Sequence, residues 1–472
     1  MGGRTPVSRS WVRSGCEGGT EAVPVPRMGT PVRRRAVIMQ AITLRTLREH
    51  RSGRVSPRPG TLTRPLTYPL TLPFIGPVTH DMDEFNPPAR LLMGAGPSNI
   101  HPRVARAMMA PLLGHLDPDF LRVMDDVREM LREVFQTRNP ATLPVSGTGT
   151  AGMEASLVNV LEPGDTFVVG TNGYFGERLA EIGRRCGAEV VTVDHPMGSP
   201  VDPDALRASV ASLKRVKAVA VVHAETSTGV LTPLEPLAEI AHEAGALLVV
   251  DAVTSLGGVE FRADEWGVDV CYSGTQKCIG APPGLAPITL SERALSVMRA
   301  RKTKVQSFYL DLTMLQDYWE QRVYHHTAPV SMIYALREAL RLVLEEGLEN
   351  RWARHAHSAA ALYAGLDAMG LAVVAPESHR VPSLTAVRSP EGVPEADVRK
   401  YLMAQHGIEV SGGLSALAGK VWRVGLMGHN STVSNVFTFL SAFENALAAQ
   451  GFEVAPGAGV AAAQRSVRER MA

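Results

Sequence analysis

Residues 268–284 read VDVCYSGTQKCIGAPPG, and the setting of the single lysine in this run decides how the chain is read. An apolar, β-branched segment followed by Ser and Gly reads as a buried strand that stops near Gly274. Lys277 then lies in a loop of small residues closed by Gly-Ala-Pro-Pro-Gly, rather than on a helix among other charges. Small neighbours leave room beside the amine, and Pro282 and Pro283 stiffen the turn that aims it.

That strand belongs to a series. TFVVG (166–170), EVVTVD (189–194), AVAVVHAE (218–225) and ALLVVDAV (246–253) are similar runs. Between them lie stretches such as PLEPLAEIAHEAG (233–245), whose apolar residues recur at helical spacing. Continuous apolar strands alternating with helices predict an α/β fold, a mostly parallel sheet covered by helices, here over residues 88–330. From Met332 the pattern changes to a long helical region, then LAVVAP, SLTAVRS, a helix at EADVRKYLMAQHG and a strand at KVWRVGL. Those pieces predict a smaller C-terminal α+β domain over 331–450.

Residues 1–87 are rich in Arg, Pro, Ser, Thr and Gly without a sustained period, so disorder is expected there. The stretch resembles an organellar transit peptide in being Arg-rich and acid-poor, and a regulatory tail is a second reading. The abrupt change at Met82, which begins MDEFNPPARLLMGAGPSN, favours instead a chain that starts at that methionine. From about 451, GFEVAPGAGVAAAQRSVRERMA is expected to form a loose tail.

Residues 1–80 hold 13 of the 48 basic residues, all arginine, against three acids, Glu17, Glu21 and Glu49. The remainder carries 35 basic and 44 acidic residues, a net of −9, which makes nucleic acid a poor partner. Cys16, Cys186, Cys271 and Cys278 show neither CxxC spacing nor a zinc-like spacing with histidine. No apolar run approaches the ~18 residues that a membrane span needs. A cytoplasmic location is expected, with a mitochondrial one if the first residues act as a transit peptide; the terminal RMA is not a peroxisomal tripeptide.

Ligands of open α/β sheets bind beyond the carboxyl ends of the strands. Asp251 ends ALLVVD, 26 residues before Lys277. Alone it would read as a helix cap, but with a lysine after the next strand both can face one crevice. In LPVSGTGTAGMEASLVNVLEPGD, residues Gly147, Thr148, Gly149 and Thr150 lead into an apparent helix from about Ala151. That arrangement offers N–H groups to a phosphate. It matches neither a Walker loop nor a dinucleotide fingerprint. A phosphate cradle, a strand-end aspartate and a loop lysine together suit pyridoxal 5′-phosphate: a Schiff-base amine, a phosphate seat and a partner for the pyridine nitrogen.

HAETSTGV (223–230), VDAVTSLGG (250–258), YSGTQKCIGAPPG (272–284), YHHTAPV (324–330) and GGLSALAGKVWRVGLMG (412–428) closely resemble the class V aminotransferases of fold type I. The nearest group is the alanine–glyoxylate and serine–pyruvate (serine–glyoxylate) aminotransferases, in register from about Leu91 to Leu447. The resemblance implies that Lys277 carries the cofactor and moves the proton, that Asp251 pairs with the pyridinium nitrogen, and that Phe175 stacks on the ring. Thr148, Gly149, Thr150 and Gln276 match the phosphate contacts, and Thr226 a hydroxyl near the ring substituents. Tyr324 and Thr327 match residues that reach the phosphate of a neighbouring subunit, which implies a homodimer with shared sites. Relatives from animals carry His in place of Thr150 and Trp in place of Phe175, so cofactor retention or substrate range can differ.

Arg423 matches the arginine that binds the substrate carboxylate, a task suited to its planar fork. An arginine within an apolar strand is costly unless paired; a local salt bridge is the competing reading. The sequence offers no obvious second arginine for a side-chain carboxylate, which leaves alanine or serine as donor and glyoxylate or pyruvate as acceptor. Rival readings are an aminotransferase for an aminoalkylphosphonate or for ureidoglycine, and a non-catalytic homologue that binds the cofactor. Cysteine desulfuration is disfavoured, since Cys271 and Cys278 lie in a strand and beside Lys277.

Overall fold

The computed structural model describes residues 86–471, so the disorder expected over 1–87 falls, apart from its last two residues, outside the described residues. Seven strands form the central sheet in the order Ala141–Ser146, Leu285–Leu290, Val270–Tyr272, Leu247–Asp251, Ala218–Val222, Thr166–Thr171, Glu189–Asp194. The last five are parallel and correspond to the five apolar runs. Leu285–Leu290 runs antiparallel to both its neighbours. Ala218–Val222 and Leu247–Asp251 are buried at every position, as strands covered on both faces must be.

The helix Gly149–Val160 is apolar nearly all round because it lies between the sheet and other helices. Gly152 permits the approach: a Cβ there would lie 2.9 Å from Ala286 Cβ and 3.2 Å from Tyr272 Cβ. Tyr174–Arg185 instead buries one stripe, Gly176, Leu179, Ala180 and Gly183, and leaves its charges outside.

A second core surrounds a three-stranded antiparallel sheet, Leu384–Arg388, Val421–Gly425, Ser411–Gly412. Its borders differ from those expected at 88–330 and 331–450. Leu91–Leu92 pairs with Ile408–Glu409, and Met93 is buried in this second core. The helix Val330–Glu346 packs Ile333, Leu336, Leu340 and Val343 into the first core. That helix ends at Gly347, whose φ of 82° stops it before Leu348–Ala368 begins.

The tail expected to be loose is not. Ala458–Met471 is a helix that buries Ala462 and Ala463. The Glu444 carboxylate accepts the N–H groups of Gly457 and Gly459 at 2.9 and 2.8 Å, which satisfies the start of the helix. Gly365 and Gly459 then allow close contact: a Cβ on Gly365 would lie 3.0 Å from the Gly459 carbonyl oxygen. Among the described residues no helix is long and apolar enough to cross a membrane, and no His/Cys/Asp/Glu group is placed to hold a metal.

Candidate active site

The carboxyl ends of the parallel strands converge on one cavity of about 200 Å³. Thr148, Gly149, Thr150, Phe175, Asp251, Gln276 and Lys277 line it, and Gly96 and Arg178 join them. Each follows from a strand end: Ser146 leads into the Gly/Thr loop, Thr171 into the Tyr174–Arg185 helix, and Tyr272 into the lysine loop. Asp251 is itself the last residue of its strand and sits opposite Tyr272 in the ladder.

Lys277 is 7 % exposed. Burial, with the nearby Arg423 charge second, lowers its pKa to about 8. Its Nζ donates to the Ala95 carbonyl. Gly96, at φ +101°, must be small, because a Cβ there would lie 2.7 Å from Lys277 Cδ and 2.9 Å from Nζ. Asp251 is 2 % exposed and accepts the Val253 N–H at 2.8 Å and the Tyr272 hydroxyl at 2.9 Å. Burial raises its pKa to about 6, against the two hydrogen bonds, which pull it down.

At the other end the helix Gly149–Val160 starts without a side-chain cap. The N–H groups of Gly149 and Thr150 have no acceptor among the described residues. Gln276 lines the same end, its carboxamide oxygen buried without a partner among the described residues. Open donors at a helix N-terminus make an anion seat.

Arg423 lies in the middle strand of the small sheet, 7 % exposed. Nε donates to Gly412 O at 2.7 Å and one terminal nitrogen to Thr226 O at 3.3 Å. Burial lowers its pKa to about 10. The two carboxylates whose charge reaches it, Glu225 and Glu395, are committed elsewhere: Glu395 to Arg399, Glu225 to Ser227 and to the N–H groups of Phe175 and Gly176. Among the described residues no carboxylate pairs with Arg423, so the salt-bridge reading fails there.

Of the expected residues, Thr226, Arg423, Tyr324 and Thr327 are not among those lining this cavity; the last two were expected at the site of a neighbouring subunit rather than at this one. Thr226 is buried, with its hydroxyl 2.5 Å from that of Thr254, and it touches the site through the carbonyl that receives Arg423. Tyr324, 57 % exposed, and Thr327 lie on the surface, outside this cavity. The sequence reading missed Glu225, Tyr272, Gly96 and Arg178. An acid inside the apolar run AVAVVHAE was the available signal for Glu225. Arg178 lines the cavity at its phosphate-seat end, beside Thr150.

Residues 91–438 match the family model described as aminotransferase class-V. The chain is 49 % identical to an alanine–glyoxylate aminotransferase from Nostoc sp. of known structure, with a TM-score of 0.76 over 78 % of this chain and 97 % of that one. It is 42 % identical to the (S)-ureidoglycine–glyoxylate transaminase of Bacillus subtilis, over 80 % of this chain and 95 % of the relative. It is 44 % identical to the alanine–glyoxylate aminotransferase of Callithrix jacchus, over 76 % and 88 %. With a fold type I architecture around the cavity and this match, the chain belongs to the class V aminotransferases and is a pyridoxal-phosphate-dependent aminotransferase.

Proposed function

We propose that the enzyme moves the amino group of alanine or serine onto glyoxylate or pyruvate. The observation that carries this reading is the buried Arg423 guanidinium, without a carboxylate partner among the described residues and close enough for its charge to lower the Lys277 pKa. Buried charges are normally paired, so a substrate carboxylate is the fitting complement, held next to the base that must act on its Cα.

The cavity fits the cofactor. The open N–H groups of Gly149 and Thr150 and the Thr148 hydroxyl suit a phosphate. The Gln276 side-chain NH2 would be the group that donates to the phosphate, and Gly96 keeps space around the amine. When bound, pyridoxal phosphate supplies an aldehyde that captures the amino group and a ring that accepts the electrons released at the substrate Cα. Asp251, ionised at neutral pH, would hold a proton on the ring nitrogen. Phe175 would cover the ring. Lys277, whose lowered pKa leaves a useful fraction of free amine near pH 8, would take and hold the Cα proton at Nζ. Arg423 would orient the carboxylate so that the Cα–H bond faces that amine.

Tyr324 and Thr327 serve the phosphate of a second copy in this reading. Their exposure beside Phe308 and Val323, with Met109, Leu112 and Leu116 also exposed, supports a homodimer, since such apolar groups favour burial. A second substrate reading, ureidoglycine as donor, draws support from the 42 % identity to the Bacillus subtilis transaminase over 95 % of its length.

The test is a donor panel with glyoxylate. Alanine, serine and ureidoglycine are compared by kcat/KM under one set of conditions. The proposal requires alanine or serine to lead; a clear preference for ureidoglycine replaces it with the second reading.

A further inference from the structure

The charge balance of the cavity is incomplete without Arg178. Among the lining residues the charged ones are Asp251, Lys277 and Arg178. The first two belong to the amine end and oppose each other. The phosphate seat, Thr148, Gly149, Thr150 and Gln276, is neutral, and a helix N-terminus contributes only about half a charge. A phosphate ester carrying nearly two negative charges therefore needs a cation at that end.

Arg178 is the group placed to supply it. On the Tyr174–Arg185 helix it stands four residues after Tyr174 and three after Phe175, so all three share a face. Its guanidinium lies 4.9 Å from the Tyr174 ring centroid and 5.0 Å from that of Phe175. One terminal nitrogen donates to Thr150 Oγ1 at 3.1 Å and the other to the Tyr174 hydroxyl at 3.2 Å. Acids near it on the helix are turned elsewhere: Glu181 pairs with Arg184 and Arg185, and Glu177 meets Ser415. No carboxylate pairs with Arg178 among the described residues, so its charge is free for a ligand.

We propose that Arg178 is the counter-charge of the cofactor phosphate and, by lying over Phe175 while bonded to Thr150, ties the phosphate seat to the wall that covers the ring. Cofactor affinity, rather than the chemical step, is what it sets. The inference rests on pyridoxal phosphate occupying this cavity.

The experiment titrates the full-length apoenzyme with pyridoxal phosphate and with pyridoxal, which lacks the phosphate, at low and high salt. Loss of one charge-assisted contact should weaken pyridoxal phosphate binding in Arg178→Gln by roughly 10- to 100-fold. Its salt dependence should flatten, and pyridoxal binding should change little. Arg178→Lys, which keeps the charge but not the fork, should fall between. Thr150→Val, a milder variant whose folding does not depend on the guanidinium, should lose pyridoxal phosphate affinity by a smaller factor. Equal losses for both ligands, or an unchanged pyridoxal phosphate affinity, would overturn the proposal. Wild-type protein that binds no pyridoxal phosphate would instead overturn the cofactor assignment itself.

Discussion

The Glu225 carboxylate accepts the backbone N–H of Phe175 at 3.1 Å, from 50 residues away in sequence. The same oxygen takes the Gly176 N–H at 3.4 Å, and the other takes the Ser227 N–H at 2.9 Å and hydroxyl at 2.6 Å. Glu225 thus caps the helix that carries Phe175 and Arg178, in place of a local cap. Gly173 makes room for it, since a Cβ there would lie 2.4 Å from Glu225 Cγ. Glu225→Ala should cost about 1–3 kcal/mol, because buried donors lose their acceptor. It should also weaken cofactor binding by displacing Phe175, with Glu225→Gln milder on both counts. Thermal unfolding and a cofactor titration check this; unchanged values would show that the cap does nothing.

The lowered pKa of Lys277 has a kinetic consequence. Only the free amine attacks an aldehyde, so capture of pyridoxal phosphate by the apoenzyme should accelerate as pH rises, with a midpoint near the Lys277 pKa of about 8. Stopped-flow absorbance across this range measures it. A midpoint near the ordinary lysine value of 10.5 would mean that burial and Arg423 do not act on the amine as described.

Arg423→Lys keeps a positive charge and loses the parallel pair of hydrogen bonds. We expect kcat/KM for the amino donor to fall roughly 10- to 100-fold, mostly through KM, with pyridoxal phosphate affinity unchanged. Steady-state kinetics beside a cofactor titration separate the two. A loss confined to cofactor binding would contradict the assignment.

Two buried histidines, His223 and His355, and the half-buried His326 are held neutral. Burial lowers the pKa of His223 and of His355 to about 3 and that of His326 to about 4, from 6.5. Hydrogen bonds fix the neutral form of His355: Nδ1 donates to Arg351 O at 2.7 Å while Nε2 accepts the Gly428 N–H at 3.1 Å. In His326, Nε2 faces the Ser146 hydroxyl at 2.7 Å and Nδ1 faces His325 at 2.9 Å. The unfolded chain takes up protons near 6.5 and the folded chain does not. This stability is therefore complete above that value and is lost as pH falls from it toward 3–4. At about pH 5.5 the loss is about 1.4 kcal/mol for each fully buried histidine. The apoenzyme Tm should fall by several degrees between pH 7.5 and about 5.5; a flat profile would refute this.

What the sequence disclosed follows the range of the interactions. The five parallel strands that were read are near-continuous Val and Leu runs; Asp251 ends one and the lysine loop follows another, and the Gly/Thr loop showed in its own composition, so local patterning sufficed. The strands Ala141–Ser146 and Leu285–Leu290 escaped because Pro144 and Pro287 interrupt them; the fold sets these prolines opposite each other, with Pro144 in an edge strand. Gly96 serves Lys277 from a segment whose carbonyl contact spans 182 residues. Glu225 and Arg178 likewise act across long separations, which no local period records. Gly and Pro near 456–459 gave the tail a loose look that Glu444 reverses.

The most direct test of the central claim is the visible absorption spectrum of the purified enzyme reconstituted with pyridoxal phosphate. The account predicts a band that depends on Lys277, is lost on adding alanine or serine, and is restored by glyoxylate. A wild-type spectrum indistinguishable from that of Lys277→Ala, or a band that no amino donor alters, would contradict it.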